Sequence, residues 1–86
     1  MKGETMARPG DAKLTRIVRS EIIRRELDTQ RLEIKVIHGV IYMTGELRPV
    51  RGRKLDRTKE MEIIENILLR LPGIRGLDNR VKWSTV

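Results

Sequence analysis

Six cations, Arg48, Arg51, Arg53, Lys54, Arg57 and Lys59, fall within twelve residues that hold one anion, Asp56. This segment carries five of the seven net positive charges of the chain, so the remainder is close to balanced. Four of the six are Arg, whose planar fork contacts phosphate through two hydrogen bonds at once. A run of this kind can track several phosphates, whether in lipid head groups or in nucleic acid. The competing interpretation is a solvated loop whose charge serves solubility alone.

Other candidates carry less chemistry. Gly73-Ile74-Arg75-Gly76 has the spacing of a backbone clamp for nucleic acid, but that clamp joins two helices. Here the residues from Leu77 onward alternate as a strand, and the glycines read as a helix stop with two hinge positions. His38 is the sole histidine of a chain without cysteine, so it lacks companions for a metal site and reads as an exposed turn residue. Glu60, Glu62 and Glu65 do not share one helical face, and the preference for negative charge at a helix start explains the first two. No nucleophile is marked by a neighbouring base, so no catalytic residue is assigned. No metal and no cofactor are predicted.

The elements that must position these residues follow from periodicity. Residues 1–10 are polar and aperiodic, and the expectation is a disordered lead-in with folding from Asp11, a suitable helix cap. Leu14, Ile17, Val18, Ile22 and Leu27 then mark one face of a helix, widened by Ile23, and Asp28-Thr29-Gln30 ends it. The opposite face carries Lys13, Arg16, Arg19, Arg24 and Arg25. From Leu32 the period changes to two, with Leu32, Ile34 and Val36 inward and Glu33 and Lys35 outward. Gly39 supplies the positive φ of a tight hairpin, and 40–47 return as its second strand. In that strand Tyr42 faces outward, and Gly45 lies on the inner side, where it would let a helix backbone approach. Pro49 and Gly52 make 48–59 a loop. A second helix starts at Asp56 or Thr58, buries Met61, Ile64, Ile67, Leu68 and Leu71 with help from Ile63 and Leu69, and stops at Pro72-Gly73. Ile74–Trp83 is a third strand, with Asn79 on its inner side making a local backbone hydrogen bond and Trp83 packing near the chain end. The fold class is α+β: an αββαβ two-layer sandwich with two helices on one face of a three-stranded sheet.

The whole chain bounds what these parts can become. Eighty-six residues, 38% of them apolar, suffice for one domain (11–86) with about 4–13 kcal/mol of net stability. With no cysteine, disulfide staples and thiolate chemistry are excluded. Tyr42 and Trp83 are the only aromatics, too few for the stacking platform of a single-strand binder. The first ten residues lack the apolar stretch of a signal peptide, and no segment approaches a membrane span. The chain as it stands is therefore expected in the cytoplasm, or at the periplasmic or membrane face if it is a piece of a longer protein.

Two segments resemble the BON domain, a family named for bacterial osmotically inducible proteins and nodulation. The first is Gly39-Val40-Ile41-Tyr42-Met43-Thr44-Gly45-Glu46-Leu47, similar to the family's "G-V-V-x-L-x-G". The second is Gly73-Ile74-Arg75-Gly76-Leu77-Asp78-Asn79-Arg80-Val81, similar to its "G-V-x-x-V-x-N". The likeness covers about residues 12–83 and makes Gly39, Gly45, Gly73 and Asn79 the structural punctuation. It implies a non-enzymatic role in binding phospholipid surfaces or envelope and partner proteins. The connection over 48–59 is longer and more basic than is usual in the family. The expectation is thus a binding module whose anion contacts are Arg48, Arg51, Arg53, Lys54, Arg57 and Lys59. The alternative is a small nucleic-acid-binding protein using the same loop with the arginines of the first helix. A homo-oligomer formed through the open sheet face or an edge strand is the third reading.

Overall fold

The computed structural model describes residues 9–50 and 54–84. In chain order it contains α1 (Pro9–Ile23), β1 (Leu27–Asp28), β2 (Leu32–Ile37), β3 (Val40–Pro49), α2 (Arg57–Leu69), β4 (Gly76–Asn79) and β5 (Lys82–Trp83). The class is α+β, with both helices on one face of a mixed sheet. The five strands line up as three rows, because β1 and β2 both pair antiparallel with β3 while β4 and β5 both pair parallel with it. The strand expected from Leu32 is present as β2, and its row is extended by β1, which the sequence assigns to the helix end. The two are joined across a turn at Thr29–Arg31, where Asp28 Oδ1 accepts from Gln30 N–H and Thr29 O accepts from Leu32 N–H. The expected third strand is one row in constant register, broken at Arg80–Val81, where Asn79 Oδ1 takes the Val81 N–H.

Strand alternation sorts the side chains as the sequence predicts. Leu32, Ile34, Val36, Ile41, Met43 and Leu47 are buried beneath the helices, against Val18 and Ile22 of α1 and Ile64 and Leu68 of α2. Ile41 and Met43, from the central row, are fully buried and hold the middle of the core. The outer face carries cross-strand rows that no described element covers: Lys35–Tyr42–Asp78, then Glu33–Thr44 continued by Arg80, with Ile37–Val40–Gly76 at the hairpin end.

The hairpin turns on His38-Gly39, both at positive φ (52° and 83°), between the paired residues Ile37 and Val40. Two left-handed residues in a two-residue loop define a type I′ turn, the form that matches strand twist. Its N–H groups point at α1: Asp11 Oδ2 accepts from His38 N–H at 2.8 Å and Oδ1 from Gly39 N–H at 3.2 Å.

Several boundaries differ from expectation. The helix opens at Pro9 rather than Asp11, so Pro9 and Gly10 belong to the fold, while residues 1–8 lie outside the described residues. Proline suits a first helical position because its missing N–H has no partner to lose. Asp11 is thereby placed inside the first turn, 4% exposed, and binds the hairpin instead of capping its own helix. At the other end α1 stops at Ile23, and the chain reverses at Glu26, which takes φ 61°. Leu27 remains a core residue, but from β1. Ile23 and Leu69 do not widen the apolar stripes; they are 51% and 48% exposed. Gly45 does admit a close backbone, but the neighbour is the Arg31 carbonyl of the adjacent row, not a helix. Its φ of 100° and that contact both exclude a Cβ.

Each exposed edge of the sheet is also answered. On β2, the Val36 N–H donates to Thr15 Oγ1 and the Leu32 carbonyl accepts from Arg19 Nη2, so α1 occupies two of the groups that another strand would use. The opposite edge is short and broken at Asn79. Both devices discourage edge-to-edge pairing.

Candidate anion-binding site

The cationic segment begins on a strand and ends on a helix. Arg48 lies in β3 opposite Asp28, and its Nε donates to Asp28 Oδ2 at 2.9 Å. The hydrogen bond from the Gln30 amide, and then that from Arg48, hold the Asp28 carboxyl below its ordinary value. One of the six cations is therefore neutralised within the fold, which the sequence did not reveal. Val50 N–H donates to Glu26 O and ties the strand end to the α1–β1 turn. Arg51 and Arg53 lie outside the described residues.

Leu55 is half-buried and packs against the core, returning the chain to the fold. Asp56 is the N-cap, in extended conformation, and its Oδ1 accepts from Lys59 N–H at 3.1 Å. Asp56, one of the two predicted caps, is thus the one used. Lys54, Arg57, Thr58 and Lys59 are all exposed around the first turn of α2. The partial positive charge of a helix start disfavours cations there, by about 0.3–1 kcal/mol for each. Arg57 and Lys59 occupy positions that helix stability alone would give to acids.

The acid expected in that turn is present but turned inward. Glu60 is 4% exposed and receives both arms of Arg25, Nε to Oε2 at 2.6 Å and Nη2 to Oε1 at 2.9 Å. That hydrogen bonding raises the Arg25 pKa above its ordinary value. The pair joins the turn after α1 to the base of the cationic turn. Residues 35 apart in sequence carry no local signal of such pairing. Arg19, turned to the Thr29 and Leu32 carbonyls, and Arg24, paired with Glu21, are likewise engaged within the chain.

The remaining predicted residues punctuate the fold away from this end. Gly73, at φ 90°, follows α2, and Gly76 opens β4. The loop between them is held under the hairpin by Arg75 N–H to Gly39 O at 2.8 Å, and a Cβ on Gly39 would strike the Gly73 carbonyl. The Gly-x-x-Gly segment thus joins a helix to a strand and not two helices. Asn79 makes the expected local bond and also donates to Glu65 Oε2 at 2.8 Å. Trp83 packs against the core, while Tyr42 is 41% exposed on the outer face. His38 is exposed, and among the described residues no group of three or more His, Cys, Asp or Glu is placed to hold a metal ion. No described helix is long and apolar enough to cross a membrane.

No family model, curated protein or solved structure matches this chain.

Proposed function

We propose that the protein is a non-catalytic binding module of BON type that attaches to anionic phospholipid surfaces through residues 48–59. The observation that carries this reading is the cationic first turn of α2. Lys54, Arg57 and Lys59 are exposed where the helix start itself is positive, a placement that opposes helix stability. A local rule broken without a folding gain is the mark of a functional position. The helix field and the cations together attract phosphate, each cation near an anionic membrane contributing about 1 kcal/mol. An acidic face on an envelope or partner protein offers the same complementarity and is the second occupant of this class. The nucleic-acid reading is less well supported, because Arg19 and Arg25 are engaged within the fold, which leaves Arg16 and Arg24 as the exposed arginines on that side.

Sedimentation with vesicles tests the reading. Binding to phosphatidylserine-containing vesicles, absent with phosphatidylcholine alone and falling as salt rises, is the expected result. Changing Arg57 and Lys59 together to Ala should weaken it by roughly 30-fold, from about 2 kcal/mol. Equal, salt-independent failure to bind either vesicle refutes the lipid reading, and tight binding to DNA or RNA in its place reassigns the site.

A further inference from the structure

The outer face of the sheet has a charge pattern with a symmetry of its own. Across the row centred on Tyr42, β2 presents Lys35 and β4 presents Asp78. In the next row, Thr44 is flanked by Glu33 on β2, and Arg80 lies with Thr44 and Asp78 along one shallow groove of about 270 Å³. Arg80 Nε donates to Asp78 Oδ1 at 3.2 Å in an exposed pair, which leaves the second carboxylate oxygen and the guanidinium arms for outward contacts. The sign at the β2 edge is therefore opposite to the sign at the β4 edge in both rows, and it inverts from one row to the next. Between them the central row presents Val40 and Tyr42, with Ile37 beside Val40 and Gly76 leaving the other flank of Val40 open.

We propose that this face binds a second copy of the chain, sheet against sheet, about a two-fold axis lying along β3. That rotation exchanges the β2 and β4 edges while keeping each row in place. Lys35 then meets Asp78 of the other copy and Glu33 meets its Arg80, each contact occurring twice. Tyr42 and Val40 meet their own counterparts on the axis, and the groove beside Tyr42 gives the opposing ring somewhere to enter. Sheets packed face to face lie about 10 Å apart and within about 30° of parallel, which long charged side chains at the rim can span. An isologous contact of this kind closes on itself and does not propagate. Self-association through an edge is disfavoured, since Thr15 and Arg19 occupy the β2 edge and the β4–β5 edge is short and broken. The same rotation leaves both cationic ends pointing in one direction, so the assembly would present them side by side.

Sedimentation equilibrium of the full chain, with charge-reversal variants at exposed positions, tests the proposal without reference to any ligand. The wild type should pass from monomer to dimer with rising concentration. Lys35→Asp and Asp78→Lys, each folded by circular dichroism, should raise the dissociation constant by at least about tenfold, because like charges then face each other twice. Mixing the two variants should restore a heterodimer, and combining both changes in one chain should restore the homodimer. A wild type that stays monomeric at millimolar concentration overturns the proposal. So does a dimer indifferent to either reversal, or a pair of weakened variants that mixing does not rescue.

Discussion

Replacing Asp11 by Ala tests how α1 is joined to the sheet. The wild-type carboxylate accepts the N–H groups of both central residues of the type I′ turn, at 2.8 and 3.2 Å, while itself only 4% exposed. Hydrogen bonds to a charged group contribute about 1.5–3 kcal/mol each when partner and burial are favourable. The two cases differ: His38 is exposed, so its N–H regains water when the carboxylate is lost, whereas Gly39 is buried and its N–H does not. The expected loss is therefore nearer one full bond than two, about 2–3 kcal/mol, which is a substantial part of the 4–13 kcal/mol estimated for a chain of this length. Urea unfolding followed by Trp83 fluorescence and far-ultraviolet circular dichroism measures it, and thermal unfolding should show a fall in melting temperature of roughly 10–20 °C. Asp56→Ala is the control, since loss of an ordinary exposed N-cap costs about 1 kcal/mol. If Asp11→Ala costs no more than Asp56→Ala, the carboxylate does not secure the hairpin and the reasoning from burial fails.

Two further predictions concern ion pairs of different burial. Arg25 and Glu60 should couple by about 1–3 kcal/mol in a double-mutant cycle of Ala substitutions, below the figure for a fully buried pair because the Arg25 side chain is 30% exposed; coupling below about 0.5 kcal/mol would show that solvent screens the pair as at a surface. For Asp28, held below the ordinary carboxylate value by Gln30 and Arg48, the unfolded chain takes up a proton at higher pH than the folded one. Its contribution is therefore fully present above about pH 5 and disappears as pH falls through the lowered folded value, below about pH 4. The stability gap between wild type and Asp28→Asn should be flat from neutral pH to about pH 5 and close below it, and a gap that widens in acid contradicts this sign.

The parts of the structure legible in the sequence were those fixed by neighbours. Alternation over 32–47 gives the face of every residue in the hairpin, and Gly39 marks its turn. Asp56 lies beside the helix it caps, and Asn79 bonds two residues ahead. What was not legible depends on groups brought together from afar. The end of α1 is not marked, because Ile23 and Leu27 fit the helical stripe equally well, and the reversal at Glu26 uses a left-handed residue that is not glycine. Asp11, read as a cap, binds a turn 27 and 28 residues away. The cationic segment was legible as composition, but not that Arg48 is spent on Asp28 or that Glu60 faces away from it.

The strand pairing also determines how the sheet can fail. Every strand pairs with β3 and none pairs with another, so the sheet is a hub with spokes and not a chain of neighbours. A chain of strands can fray from one side and keep a smaller sheet, as partial opening does in many proteins. Here an outer row can detach, but no sheet survives the withdrawal of residues 40–49. Backbone amides in the middle of β3 should therefore be the slowest of the sheet to exchange with solvent, each released only when the row it pairs with detaches or the whole molecule opens. A cut within this one segment would divide the strand that every other row pairs with.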